Sequence, residues 1–92
     1  MKIEIKVPDD EELEELKVSS WPIWKKEISE FEWNYSEPEV CYILEGEAIV
    51  ETDEGGFTIK EGDLVRFEKG LSCVWKIKKP IRKHYTFGDI KI

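Results

Sequence analysis

The stretch Glu39-Val-Cys-Tyr-Ile-Leu-Glu-Gly46 is an apolar, partly β-branched run that closes on a glycine. Such a run predicts a strand whose two faces are both covered. In a chain of 92 residues, a strand of this kind belongs inside a sandwich or a barrel. A second stretch, from Ile59 to Gly70, has the pattern of a strand, a tight glycine turn, another strand and another glycine.

Short runs with turn signals between them fill most of the remaining chain. Lys2 to Val7 alternates charged and aliphatic residues, and Glu30 to Tyr35 alternates polar and aromatic ones. Asp53-Glu-Gly-Gly56 has the chemistry of a hairpin turn, because glycine adopts a positive φ without steric cost. Pro80 separates two further strand-like runs, residues 73–78 and 81–87. This spacing predicts an all-β fold, an antiparallel barrel or sandwich.

One short helix is expected near the N terminus. Asp9 is placed as its N-cap, and Glu12 three residues later completes the pattern of a capping box. Acidic residues crowd the first turn, where the helix dipole favours them. Ser19-Ser20 should end the helix, which we expect to lie across one opening or face of the barrel.

The charge balance limits the classes of partner. Fourteen basic side chains stand against 21 acidic ones, and the net charge is −7. This balance argues against nucleic acid and anionic membrane surfaces, which need a basic field. No apolar run is long enough for a membrane span, and the start of the chain does not have the pattern of a secretory signal. We therefore expect one cytoplasmic domain, residues 1–92, whose 38% charged residues fit the composition of heat-adapted proteins.

The two glycine-closed stretches resemble the paired motifs of the cupin superfamily, at about residues 31–46 and 62–77. This resemblance implies a small antiparallel jelly-roll β-barrel. Many cupins hold a divalent metal inside the barrel with three histidines and one glutamate, and they generally form homodimers. A homodimer is therefore expected here.

The cupin metal ligands are mostly replaced in this chain. The motif glutamate falls on Glu39, but the first two histidine positions fall on Trp33 and Tyr35, or on Glu32 and Asn34 with a longer spacer. The third histidine position is Cys73. One carboxylate and one thiol do not make a competent site for manganese, iron or zinc. We therefore expect no metal and no cofactor.

A narrower resemblance covers the chain from about Trp21 to Tyr85. It is to the short, single-domain family related to the cupin domain of (S)-ureidoglycine aminohydrolase. The segments that carry it are Trp21-Pro-Ile-Trp24, residues 39–46, Gly62-Asp-Leu-Val65, Lys69-Gly70, Trp75 and Pro80-Ile-Arg-Lys-His-Tyr85. Full-length relatives are manganese enzymes that release ammonia from a ureido-glycine substrate. The resemblance implies a pocket for a ureide-like or other small polar metabolite.

Strand parity predicts which side chains line that pocket, because alternate residues of a strand face the same side. Glu39 and Lys83 are the candidate catalytic residues: Glu39 would be the general acid or base, and Lys83 would orient the substrate. The remaining predicted pocket-lining residues are Trp33, Tyr35, Cys41, Ile43, Cys73, Trp75 and Tyr85.

Plainer interpretations compete with each of these assignments. The aromatic residues could fill the core of a small barrel rather than contact a ligand. Cys41 and Cys73 fit two buried, reduced thiols, because no histidine or basic cluster beside them in sequence would lower a thiol pKa. Glu39 could be part of a structural salt bridge, since a buried carboxylate must be paired or kept neutral.

Three functions therefore stay open at this point. The chain could be an enzyme acting on a small molecule without metal, or a non-catalytic module that binds a small metabolite. It could also be a metal-dependent cupin that uses Glu39 and Cys73 as unusual ligands.

Overall fold

Two long antiparallel strands form the centre of the molecule, which a computed structural model describes for residues 2–92. The strands are β1 (Ile3–Lys6), β2 (Ile23–Lys26), β3 (Ser29–Asn34), β4 (Glu39–Thr52), β5 (Gly55–Lys60), β6 (Leu64–Phe67) and β7 (Ser72–Phe87). A helix, α1 (Asp10–Glu15), and a 3₁₀ turn (Val18–Ser20) connect β1 to β2. The predicted all-β jelly-roll class is confirmed.

β4 and β7 pair with each other along most of their length, and each has shorter strands on its other edge. β6 pairs with the first part of β4, and β5 pairs with the last part. β3 pairs with the first half of β7, and β2 pairs with the second half. β1 completes the order β1-β6-β4-β7-β2 as an edge strand.

β7 runs without a break through Pro80, so the predicted division into two strands is wrong. The physical reason is that Pro80 falls in a gap of the hydrogen-bond ladder. On one side, the pairing with β4 skips between Lys79 and Arg82. On the other side, β3 pairs as far as Ile77, and β2 begins at Ile81. A missing N–H at Pro80 therefore leaves no ladder bond unmade.

The helix begins where its capping pattern placed it, but it ends at Glu15, before the predicted end at Ser19-Ser20. Asp9 is the N-cap, and its Oδ1 accepts a hydrogen bond of 2.8 Å from the backbone N–H of Glu12. None of the helical residues is buried, and the following Ser19-Ser20 lies in the 3₁₀ turn. Within residues 2–92, no helix has the length and apolar character needed to cross a membrane.

The core lies between the two sides of the curled sheet and contains the inward residues of its long strands. Its buried members are Ile3, Tyr35, Cys41, Ile43, Ala48, Val50, Ile59, Val65, Phe67, Leu71, Cys73, Trp75, Ile77 and Ile81. Trp24, Phe31, Phe57 and Tyr85 are partly buried and pack against this cluster. Aromatic side chains from several strands therefore meet beside the core.

Candidate functional site

A cavity of about 200 Å³ opens among these aromatic side chains. It is lined by Trp24 of β2, Phe31 and Trp33 of β3, Tyr35, Glu39 of β4, and Trp75, Lys83, Tyr85 and Phe87 of β7. Seven of these nine residues are aromatic, so the walls are largely apolar. We call this cavity the aromatic pocket.

The charged groups of the aromatic pocket form a buried ion pair. Lys83 Nζ donates a hydrogen bond of 3.1 Å to Glu39 Oε2. Each side chain is only 7% exposed. Because so little water reaches the pair, its field is screened far less than that of a surface pair.

The Lys83 ammonium also lies against two indole rings. Its Nζ is 4.9 Å from the ring centroid of Trp24 and 4.7 Å from that of Trp75. Both distances are within the range of cation–π attraction. Trp24 is the cross-strand partner of Lys83, so the pairing of β2 with β7 places it there.

Tyr35 provides a third polar group. Its hydroxyl accepts a hydrogen bond of 3.2 Å from Trp75 Nε1, and its ring stacks on Phe67 at a centroid distance of 4.5 Å. Burial, and secondarily the charge of Glu39, raises the pKa of the Tyr35 phenol well above its ordinary value. The phenol therefore stays protonated and keeps a proton that it can donate to a ligand.

The mouth of the aromatic pocket is formed by Trp33 and Phe87, which are 49% and 50% exposed. Phe87 is held by the segment that follows it. The Gly88 N–H donates to the Pro38 carbonyl at 2.9 Å, and the Arg66 side chain binds Asp89. The mouth is therefore apolar. On the side of Phe87, it is held in place by the contacts of Gly88 and Asp89 with the rest of the protein.

Three residues that were expected to line the pocket do not do so. Cys41 and Ile43 face inward but have no exposed surface, because they pack into the core below the pocket. Cys73 lies opposite Trp33 in the β3–β7 register and borders a separate, shallow groove together with Glu51 and other residues. Burial raises the pKa of both thiols to about 11, although Lys83 opposes the shift. Thiolate chemistry at neutral pH is therefore disfavoured.

Sequence reasoning missed three residues of the pocket: Trp24, Phe31 and Phe87. Phe31 has the same strand parity as Trp33, so alternation could have found it. Alternation does place Phe87 on the inward face with Lys83 and Tyr85, although Phe87 was not among the predicted pocket-lining residues. Trp24 carried no comparable signal, because its place depends on a cross-strand pairing with a residue 59 positions later.

The donor set does not fit a cupin metal centre. Within residues 2–92, no group of three or more His, Cys, Asp or Glu side chains could hold an ion. The oxygen of Glu39 that points to Lys83 is already engaged by an ammonium. His84 does not line the aromatic pocket, and its Nδ1 lies 2.8 Å from the Trp21 carbonyl oxygen.

Comparison with known proteins places this chain in a family. The sequence profile of the EutQ-like cupin domain matches residues 13–85. A DUF861 family protein from Thermotoga maritima is 52% identical, with a TM-score of 0.91 over 94% of this chain and 99% of that one. No curated protein matches.

Two EutQ structures are more distant. A putative ethanolamine utilization protein Q from Salmonella typhimurium is 25% identical, with a TM-score of 0.65 over 71% of this chain and 53% of that one. The EutQ protein of Clostridium difficile is 18% identical and shows the same fold, with a TM-score of 0.66 over 71% and 52%. This chain thus spans about half the length of either EutQ protein.

The chain belongs to the EutQ-like cupin family. The predicted resemblance to the cupin superfamily is therefore confirmed. The comparisons do not extend to the narrower resemblance to ureidoglycine aminohydrolase.

Proposed function

We propose that this EutQ-like cupin binds a small, planar metabolite with an amide or ureide group in the aromatic pocket, without a metal. The observation that carries the proposal is the buried Lys83–Glu39 pair, which lies in the wall of an otherwise apolar cavity. A few polar groups in a largely aromatic cavity are typical of small-molecule sites.

The pair offers both kinds of hydrogen-bonding partner that a ureide requires. An ammonium has three N–H donors, and Lys83 gives one of them to Glu39. A carboxylate can accept at both oxygens, so Glu39 retains acceptor capacity. A ureide carbonyl can accept from Lys83 while its N–H donates to Glu39. Because the site is buried, each such bond is electrostatically stronger than it would be in water.

The shape of the cavity supports a small and flat ligand. Its volume of about 200 Å³ is below the range of about 300–1,000 Å³ for pockets that hold drug-sized ligands. Most of the residues that line it are aromatic, and aromatic ring faces pack well against a planar group. The Tyr35 hydroxyl adds a donor at the wall.

A hydrolytic activity on the same ligand is the second candidate, and the burial of Glu39 favours it. The Glu39 carboxylate and the Lys83 ammonium both line the aromatic pocket, and their side chains are largely shielded from water. Glu39 would take a proton from a water molecule that attacks the carbonyl carbon, and Lys83 would stabilise the negative charge that develops on the carbonyl oxygen. Glu39 would then return the proton to the nitrogen that leaves as ammonia when the C–N bond breaks. Release of ammonia from a ureide would report this reaction.

The proposal can be tested by calorimetric titration with hydantoin and N-carbamoylglycine. We expect saturable binding that Glu39→Gln weakens at least tenfold. Glu45→Gln is the matched control, since it makes the same change on the same strand in the exposed Arg82–Glu45 pair. Lys83→Met has an equivalent control in Lys76→Met, at the Lys76–Glu51 pair of β7. Lack of binding by the wild-type protein, or equal loss in variant and control, would exclude a ureide site.

A further inference from the structure

Three groups around the Lys83 ammonium form a cage. The rings of Trp24 and Trp75 have centroids 6.4 Å apart and planes inclined at 62°, so they form an open wedge. The ammonium lies over both faces, at 4.9 and 4.7 Å. The Glu39 carboxylate lies 3.1 Å from the same nitrogen. Two indole faces and one carboxylate thus surround a single cation.

This is the arrangement with which proteins recognise ammonium ligands. Aromatic cages bind alkylammonium groups through ring quadrupoles, and desolvation strengthens that attraction. Here the cation is supplied by the chain itself, and its side chain is 7% exposed. Lys83 and Trp24 both lie on paired strands. Lys83 of β7 is opposite Trp24 of β2 on one side and opposite Ile43 of β4 on the other.

We propose that Trp24, Trp75 and Glu39 form a primary-ammonium binding site that the chain fills with its own Lys83. It follows that the aromatic pocket selects against cationic ligands, because its cation site is already occupied. The existence of the cage stands on its own geometry, whereas this selectivity rests on the proposed function.

The variant Lys83→Ala tests the cage directly. It removes the three methylenes and the ammonium beyond Cβ, and n-propylammonium has the composition of the missing piece. We expect Lys83→Ala to bind n-propylammonium at least tenfold more tightly than 1-propanol, which has a similar shape but no charge. The wild-type protein should show no saturable binding of n-propylammonium. Glu39→Gln in the Lys83→Ala background should remove most of the preference for the cation.

Lys26 offers a matched control, because it also places an ammonium over an aromatic ring. Its Nζ lies 5.8 Å from the Phe31 centroid, but its side chain is 39% exposed and its carboxylate partner, Glu27, is 76% exposed. Lys26→Ala should therefore gain no affinity for n-propylammonium. A gain equal to that of Lys83→Ala would show general binding to aromatic surface and would overturn the proposal.

A readout in the wild-type protein covers the case in which Lys83→Ala does not fold. Ring currents from two indoles should move the Lys83 ε-methylene proton resonances upfield of the other lysines. Trp24→Leu should return them part of the way. Ordinary lysine shifts in the folded wild-type protein would overturn the cage.

The two proposals fail separately. If Lys83→Ala binds n-propylammonium but the wild-type protein binds no ureide, the cage stands and the proposed function falls. If folded Lys83→Ala ignores n-propylammonium while the wild-type protein binds ureides, the cage falls and the proposed function stands.

Discussion

Lys83 reaches Glu39 diagonally along the sheet rather than across it. The Cα of Lys83 is paired with Ile43, whereas the Cα of Glu39 is paired with Phe87. The two residues are thus offset by four positions along β4, roughly 13 Å of extended strand. The two side chains span this offset together, and the aliphatic stem of Lys83 lies in the pocket wall, where long side chains bury their methylenes on apolar surface.

Breaking this pair from one side should be costly. We expect Glu39→Gln and Lys83→Met each to lower the free energy of unfolding by about 3–5 kcal/mol, because each leaves a buried charge without its partner. The double variant should lose clearly less than the sum of the two single losses. Urea denaturation of the four proteins at neutral pH measures the coupling.

Glu45→Gln is the internal reference for that cycle. The Arg82–Glu45 pair is 38% and 60% exposed, so its loss should cost about 1 kcal/mol or less. Additive losses at Glu39 and Lys83, or a loss no larger than that of Glu45→Gln, would mean that the buried pair contributes little to stability.

The buried thiols predict a fall in stability at alkaline pH. Burial raises the pKa of Cys41 and Cys73 to about 11 in the folded protein, whereas an unfolded thiol has a pKa of about 8.5. Between these values the folded state holds protons that the unfolded state has released. Because the unfolded state then binds fewer protons, the free energy of unfolding decreases as the pH rises through this window.

The comparison variant is Cys41→Ala/Cys73→Ala, which should show a shallower decrease over the same pH range. Lysine titration is common to both proteins, so the difference in slope belongs to the thiols. Native-state labelling with a maleimide at neutral pH should also be slow for both cysteines. Identical slopes, or rapid labelling of either thiol, would contradict this account of the two sites.

Alternation along strands predicted the faces of the sheet well but not the depth at which a side chain lies. Glu39, Cys41 and Ile43 do share a face, yet only Glu39 reaches the aromatic pocket. Which inward residues border a cavity depends on how the opposite wall packs, and that information is spread over the whole chain. Trp24 is an example, because it lies in the pocket only through its pairing with Lys83, a residue far away in the sequence.

Rules based on neighbouring residues predicted the features that depend on local contacts. They failed at Pro80, where pairing between distant strands decides the structure. The N-cap at Asp9 could be predicted because its bond to Glu12 spans three residues. The predicted strand break at Pro80 followed the usual cost of proline in a sheet. It was wrong because the pairing around Gly46 and Pro80 is irregular, so the ladder has no hydrogen bond that would need an N–H at Pro80.

The contact between Gly46 and Pro80 gives a third prediction. Gly46 has a φ of +102°, and a Cβ added there would lie 2.2 Å from the Pro80 carbonyl oxygen. An unfavourable backbone conformation alone costs about 1 kcal/mol. Because Gly46→Ala adds a steric clash, we expect it to lower the free energy of unfolding by several times that amount. Thermal and urea unfolding measure the effect.

Gly55→Ala separates the steric contribution from the conformational one. Gly55 also has a positive φ, +118°, but a Cβ there would meet nothing within 4 Å. We expect Gly55→Ala to lower the free energy of unfolding only by the cost of the unfavourable backbone conformation. Equal losses in the two variants would mean that β7 moves away from Gly46 easily and that the close approach at Pro80 is not a constraint.

The last prediction is that the purified protein binds no stoichiometric transition metal. A catalytic zinc site usually has three protein ligands, and the cupin positions here offer Glu39 and Cys73 with Trp33 and Tyr35 in place of two histidines. Cys73 does not line the aromatic pocket, so even these two donors do not face a common cavity. An incoming divalent ion would also have to compete with the Lys83 ammonium for Glu39.

Elemental analysis of protein prepared without chelator or affinity tag, followed by titration with manganese, iron and zinc, measures the metal content. The expected result is far less than one ion per chain and no saturable uptake. Lys83→Met is the informative variant, because removing the ammonium frees the Glu39 carboxylate but adds no second ligand. Its uptake should therefore stay weak. One tightly held ion per wild-type chain, lost on Glu39→Ala, would contradict the ligand count and make a metal-dependent reaction the leading function.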